Sequence, residues 1–212
     1  MYDFANSGYT TVVLTTVFSA YFVGVVAASK SWATLAFTAT LSLSYLMIML
    51  TMPGLGAWAD ARAAKKRLLW LSTAGCVLGT LALMKAQPGV IVLSLFALGV
   101  SNYFYCMGEA LIASFLPEIA RPHALGRVSG WGWSFGYLGG MLTLGIALLL
   151  VARASGQGLG APDYVPAVMA VTATVFALAA VPSLLWLKER TPAGVARSGG
   201  VFARLQVAWF ET

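Results

Sequence analysis

Six long apolar runs, at residues 9–28, 33–59, 68–86, 90–116, 128–152 and 164–187, are separated only by short loops. Each is long enough, at about 1.5 Å per residue, to cross roughly 30 Å of hydrocarbon as a helix. In lipid the backbone has no water to bond, so a helix that satisfies its own N–H and C=O groups is the expected element, and strands are not indicated. The runs are apolar all round instead of along one stripe, and 59% of residues are hydrophobic against 9% charged, which does not fit a water-soluble core. The expected fold class is therefore all-α, an integral membrane bundle of six spans occupying residues 1–187.

The basic residues set the orientation. The stretch after span 2 holds Arg62, Lys65, Lys66 and Arg67, that after span 4 holds Arg121 and Arg127, and that after span 6 holds Lys188, Arg190, Arg197 and Arg204; the other three loops hold only Lys30, Lys85 and Arg153. Basic loops stay cytoplasmic, so both termini are expected inside. The net charge of +6 is this same bias and not a nucleic-acid footprint. The chain's start lacks the pattern of a removable signal peptide, so span 1 is expected to remain. Residues 188–212 read as a cytoplasmic linker, with Glu189 to Gly200 rich in Gly, Arg, Ser and Pro. Beyond it Val201, Leu205, Ala208 and Trp209 recur at helical spacing, as in an amphipathic helix or the approach to a further span.

Within the spans, polar residues carry most of the functional information. Glu109 is the only acid deep in a span, about 12 Å along the helix from Pro117. An unpaired carboxylate there costs roughly 2.5–3.5 kcal/mol on insertion scales, so the default position is a cavity wall or a functional site. No Lys, Arg or His lies at similar depth in the spans, which favours an acid that takes up a proton or a cation over a permanent ion pair. The plain alternative is a hydrogen bond that only locks packing. Asn102, Tyr105, Cys106 and Glu109 share one helical face, as do Asp3, Asn6 and Thr10 at the start of span 1, where Asp3 could equally sit in interfacial water. Gly132, Gly136 and Gly140 form a ridge along span 5 where another helix is expected to approach closely. Trp131, Trp133 and Tyr137 read as an interfacial aromatic belt, Cys76 and Cys106 as packing residues, and His123 as a solvated loop residue. Pro53 and Pro182 are expected to bend or end their helices.

Two further stretches and the opening of the chain carry a resemblance. Gly56-Ala57-Trp58-Ala59-Asp60-Ala61-Arg62-Ala63-Ala64-Lys65-Lys66-Arg67 resembles the loop signature of the major facilitator superfamily, though Ala61 replaces a usual basic residue and Ala63 a usual Gly. The opening Tyr2-Asp3-Phe4-Ala5-Asn6-Ser7, together with Phe115-Leu116-Pro117-Glu118-Ile119-Ala120 and the run from Gly126 to Gly140, resembles the branch related to autophagy-type vacuolar amino-acid effluxers. The resemblance implies the amino-terminal half of a major-facilitator fold, built as a 3+3 inverted repeat, although no internal sequence repeat is visible. It implies that spans 1 and 4 flank a central substrate cavity, and that Gly56, Asp60, Arg62, Lys65 and Arg127 belong to a cytoplasmic gate. It also implies a small-molecule substrate, and a carboxy-terminal six-span half in the same full-length chain or in a partner.

The reading is a secondary transporter, an exporter of amino acids or similar metabolites. The rival is a half-size six-span scaffold or interaction protein without transport activity. No phosphate-cradling glycine loop, nucleophile with its base or metal-ligand set appears, so neither an enzyme nor a cofactor is expected.

Overall fold

The computed structural model describes residues 1–116, 120, 122–187 and 189. The fold is all-α, with six helices long and apolar enough to cross a membrane: α1 Tyr2–Val26, α2 Ala33–Arg62, α3 Lys65–Lys85, α4 Ile91–Ser114, α5 Leu125–Gly156 and α6 Ala161–Trp186. No strand occurs among the described residues. The expected linker and terminal helix at 188–212, apart from Glu189, lie outside the described residues, as do Pro117, Glu118, Ile119 and Arg121.

Most helices run past the apolar stretches into polar sequence. α1 begins at Tyr2 instead of residue 9, and α5 extends from Leu125 to Gly156 instead of 128 to 152. Hydropathy marks where side chains prefer lipid, but the backbone ladder stops only where another partner replaces it. The added turns suit the helix dipole: Asp3 lies in the first turn of α1, Arg62 in the last turn of α2 and Arg153 in that of α5. Ala63 then closes α2 in the left-handed conformation, at φ +46°. Pro53 and Pro182 end neither α2 nor α6; both lie inside helices that continue, as the absence of competing water in lipid allows.

One irregularity was not foreseen. α1 widens into π-helical turns at Thr10–Thr16 and again at Phe22–Val26. The Thr15 hydroxyl donates to the Thr11 carbonyl at 2.8 Å, bonding an acceptor in the wide turn. Such turns re-aim the side chains around them and recur at functional sites.

The main packing pairs are α3 with α4, α1 with α6, α1 with α5, α2 with α4, and α3 with α6. Exchanging α1, α2, α3 for α4, α5, α6 maps this set onto itself: α3–α4 becomes α6–α1, α1–α5 becomes α4–α2, and α3–α6 is unchanged. The inverted repeat is thus expressed in packing where the sequence conceals it, and the bundle is one half of a major-facilitator fold.

In lipid the hydrophobic effect does not drive helices together, so close approach at small residues must. The expected ridge on α5 meets α1: a Cβ at Gly132 would lie 2.6 Å from Asp3 Oδ2, one at Gly136 2.9 Å from Ser7 Oγ, and one at Gly140 3.1 Å from Thr11 Oγ1. The tightest point lies beside the ridge. A Cβ at Gly139 would meet the Phe4 carbonyl and lie 2.7 Å from Phe4 Cα, backbone that cannot turn aside. α3 and α4 touch similarly, a Cβ at Gly79 falling 2.8 Å from Ser101 Cα. Between these seams an aromatic cluster fills the centre. Tyr9 stacks on Tyr105 at 5.0 Å between ring centroids, and Phe176 meets Tyr2 and Tyr9 edge-on.

Two tests follow from this arrangement. Gly139→Ala should lower thermal stability by about 1–3 kcal/mol through overpacking, and Gly136→Leu should also lower it. Gly145→Ala, where the Cβ meets nothing within 4 Å, should be neutral or stabilising. Equal unfolding temperatures for the two alanine variants would dismiss the α1–α5 seam. For topology, cysteines at Ala61 and Gln157, both exposed, should react with an impermeant maleimide from opposite faces of the membrane, Ala61 from the cytoplasm. Gln157 is preferred to Gly158, whose φ of +75° strains any side chain. Labelling of both sites from one face would overturn the six-span arrangement.

Candidate functional site

α1 and α4 run antiparallel, so the start of α1 lies beside the end of α4. There, with the start of α5, they wall a cavity of about 790 Å³. Asp3, Asn6, Thr10, Tyr105 and Glu109 all line it, so two faces predicted separately from helical spacing converge on one space. The cavity reaches from Met1 to Thr11 along α1, about 15 Å of helix.

Hydrogen bonds fix its wall. The Thr10 hydroxyl donates to the Asn6 carbonyl at 3.0 Å and reaches the Tyr105 oxygen at 3.1 Å. Tyr105 presents its own hydroxyl toward Glu109. Behind this row the Tyr9 oxygen lies 2.7 Å from Ser101 Oγ, and the Tyr2 oxygen 3.1 Å from Thr73 Oγ1, tying α1 to α4 and α3. The Glu109 side chain is exposed to the cavity, as a carboxylate in an apolar bundle requires. Asp3 is half-buried beside Gly132, whose missing side chain leaves room for its carboxylate.

One expectation changes. Asn102 does not line the cavity: it is wholly buried, and neither Oδ1 nor Nδ2 has a hydrogen-bond partner. The Tyr45 hydroxyl on α2 faces it without reaching hydrogen-bond geometry. Helical spacing placed Asn102 on the Glu109 face, but helix packing covers that level of α4. Trp133 and Tyr137, although largely exposed, also border the cavity, while Trp131 does not. Gly132, Gly136 and Gly140 serve both as the seam with α1 and as cavity wall. Cys76 and Cys106 are buried free thiols, and His123 lies exposed in the turn before α5.

Of the residues expected at a gate, Asp60, Arg62 and Lys65 lie at the loop between α2 and α3, Gly56 within α2 and Arg127 at the start of α5. Asp60 pairs with Lys65 at 2.9 Å, while Arg62 turns away to lie over the Trp58 ring at 5.0 Å. Arg127 is exposed in the first turn of α5, with no ion pair among the described residues. Gly56 makes no close approach to another helix among the described residues, since a Cβ there would meet nothing within 4 Å. Glu189, assigned from sequence only to the linker, proves to be part of this assembly. Its Oε1 accepts the Lys65 backbone N–H at 2.6 Å, and Lys66 Nζ donates to the Leu185 carbonyl in the last turn of α6 at 3.2 Å. Ala64 cannot cap α3 with a side chain, so a carboxylate from beyond α6 supplies that role at the positive end of the dipole. An uncapped helix start was the available signal, but the distance along the chain hid the partner.

Residues 18–209 match the family described as "Vacuole effluxer Atg22 like". The chain is also 29% identical over 163 residues to YxiO, an uncharacterized MFS-type transporter of Bacillus subtilis (strain 168). That alignment takes in 73% of this chain and 37% of YxiO, so the chain spans less than two fifths of the curated relative's length. No solved structure matches it significantly.

Because Asp60 is more than half exposed, its bond to Lys65 contributes at most about 1 kcal/mol. That is too little to hold the fold but enough to move a conformational equilibrium about fivefold. In the full-length protein Asp60→Asn and Glu189→Ala should therefore each alter the reactivity of a cysteine at Ser129 on the cavity wall, with membrane levels nearly unchanged. Unaltered reactivity in both variants would reduce these residues to loop anchors.

Proposed function

We propose, for a chain that belongs to the Atg22-like vacuole effluxer family, that it is the amino-terminal six-span half of a secondary transporter. It moves amino acids or similar small metabolites by alternating access and works as an exporter. The observation that carries this reading is the single cavity onto which Asp3, Asn6 and Thr10 of α1 and Tyr105 and Glu109 of α4 converge. Polar and ionisable groups are costly inside an apolar bundle, and in transporters they gather at a site near the interface of structural repeats. α1 and α4, two of its walls, are the first helices of the two exchanged three-helix units.

A carboxy-terminal six-span half, in the same full-length chain or in a partner, would complete the cavity. The remaining apolar surface, such as Leu43, Leu46 and Leu50 on α2, would lie against that half or against the bilayer. The assigned location is a bacterial inner membrane, with both termini cytoplasmic by the bias of basic loops. The wall then moves with the helices: rocking of one half against the other opens the cavity alternately to each side, and Asp60, Lys65 and Glu189 bias that equilibrium at the cytoplasmic end.

Glu109 is the residue for coupling. Asp3 and the hydroxyl of Tyr105 share its cavity, Tyr45 of α2 lies within electrostatic reach, and no basic side chain lines the space among the described residues. A proton is the available means of neutralising it when the site closes. In reconstituted vesicles holding the full-length protein, Glu109→Gln should abolish net transport driven by a pH gradient while sparing substrate exchange. Accumulation retained in the variant would remove Glu109 from coupling; no flux of any solute from a panel of labelled amino acids would overturn the transporter reading.

A further inference from the structure

We infer that the outer groove between α3 and α6, at the end that holds Lys66, Arg67 and Trp186, binds the headgroup of an anionic phospholipid. The groove is separate from the cavity, and its occupant is a component of the bilayer instead of a solute to be moved.

α3 and α6 are one of the main packing pairs, and Lys66 Nζ donates to the Leu185 carbonyl at 3.2 Å across their seam. That bond holds the ammonium at the mouth of the groove and uses one of its three N–H donors. Arg67 is exposed and has no hydrogen bond or ion pair among the described residues. Trp70 follows Lys66 by four residues and Arg67 by three, so it lies one turn deeper on the same side of α3, 47% exposed. On the other wall Trp186 ends α6 with 76% of its surface exposed. Cations at the helix ends with indoles beside them match the order of groups from water into the headgroup layer.

The acids of this corner are already engaged. Asp60 pairs with Lys65 at 2.9 Å, and Glu189 Oε1 accepts the Lys65 backbone N–H at 2.6 Å. The remaining donors of Lys66 and Arg67 therefore have no protein acceptor among the described residues. A group with a negative charge and several oxygen acceptors fits them, and a phosphodiester has those properties. Its source follows from the surface beyond the cations, which is apolar: Leu71 and Leu78 on α3, Leu178 and Leu185 on α6, all exposed. By helical spacing Leu178 and Leu185 lie on the side of α6 opposite Ser183 and Leu187, which line the cavity, and α3 lends the cavity no residue. This face is thus turned away from the space that a second half would complete. It is turned toward the bilayer, which supplies acyl chains together with the phosphate, and basic pockets between transmembrane helices hold anionic headgroups in this way.

The experiment is native mass spectrometry of the purified full-length protein, titrated with dioleoylphosphatidylglycerol and, in parallel, with dioleoylphosphatidylcholine, whose choline cancels the phosphate charge. The first phosphatidylglycerol should bind at least about tenfold more tightly than phosphatidylcholine, since each basic group near an anionic headgroup contributes about fivefold. Arg67→Gln should weaken phosphatidylglycerol about fivefold and leave phosphatidylcholine unchanged, while Arg67→Lys should keep most of the preference. Arg127→Gln removes an exposed cation on α5, outside the groove, and should change neither lipid. Equal binding of the two lipids by the wild type, or equal losses in the Arg67→Gln and Arg127→Gln variants, overturns the site. Displacement of the lipid by free glycerol 3-phosphate would also overturn it, by making the groove a solute site, as would a dimer that dissociates in Trp186→Leu, by making it a contact between copies.

Discussion

The close approach of α1 to α5 is the contact on which the rest of the structure depends. Gly139 admits the backbone of Phe4, and the row Gly132, Gly136 and Gly140 admits Asp3, Ser7 and Thr11. In lipid, where apolar side chains gain little by leaving their surroundings, dispersion between closely set backbones must hold helices together. A side chain on these glycines would push α1 outward, and with it Asp3, Asn6 and Thr10. The seam therefore supports the bundle and also sets the width of the cavity.

The same contact explains why polar residues can line α1 so near its start. A carboxylate, an amide and three hydroxyls on one helix would be poorly tolerated against lipid. They are tolerated because one side of that face is covered by small residues of α5 and the other by the hydroxyls of α4, with the cavity between. The uncommon π-helical turns of α1 begin at Thr10, the residue that bonds to Tyr105. A helix of ordinary pitch would carry the following side chains round at a different angle.

At the end of the bundle that holds the α2–α3 loop a different physics applies. The Asp60–Lys65 pair and the Glu189 contact are partly exposed, and each is weak beside the packing seams. Contacts of this strength can be broken and remade without endangering the fold. Joining the α2–α3 loop to the end of α6 also links the two three-helix units at one point.

The sequence by itself determined the class of fold, the number of spans and the two polar faces that meet in the cavity. Each of these follows from local pattern: apolar length against membrane thickness, and helical spacing of Asp3, Asn6, Thr10, Tyr105 and Glu109. The glycine ridge was legible for the same reason. Tertiary structure alone decided that Gly139 is the tightest point of the α1–α5 seam, that Asn102 is covered while Glu109 is open, that Trp133 and Tyr137 border the cavity, and that Glu189 caps a helix far away in the chain. These depend on which neighbour lies opposite a given face. A helix of nearly uniform hydropathy does not reveal that, since lipid and protein present almost the same solvent to it.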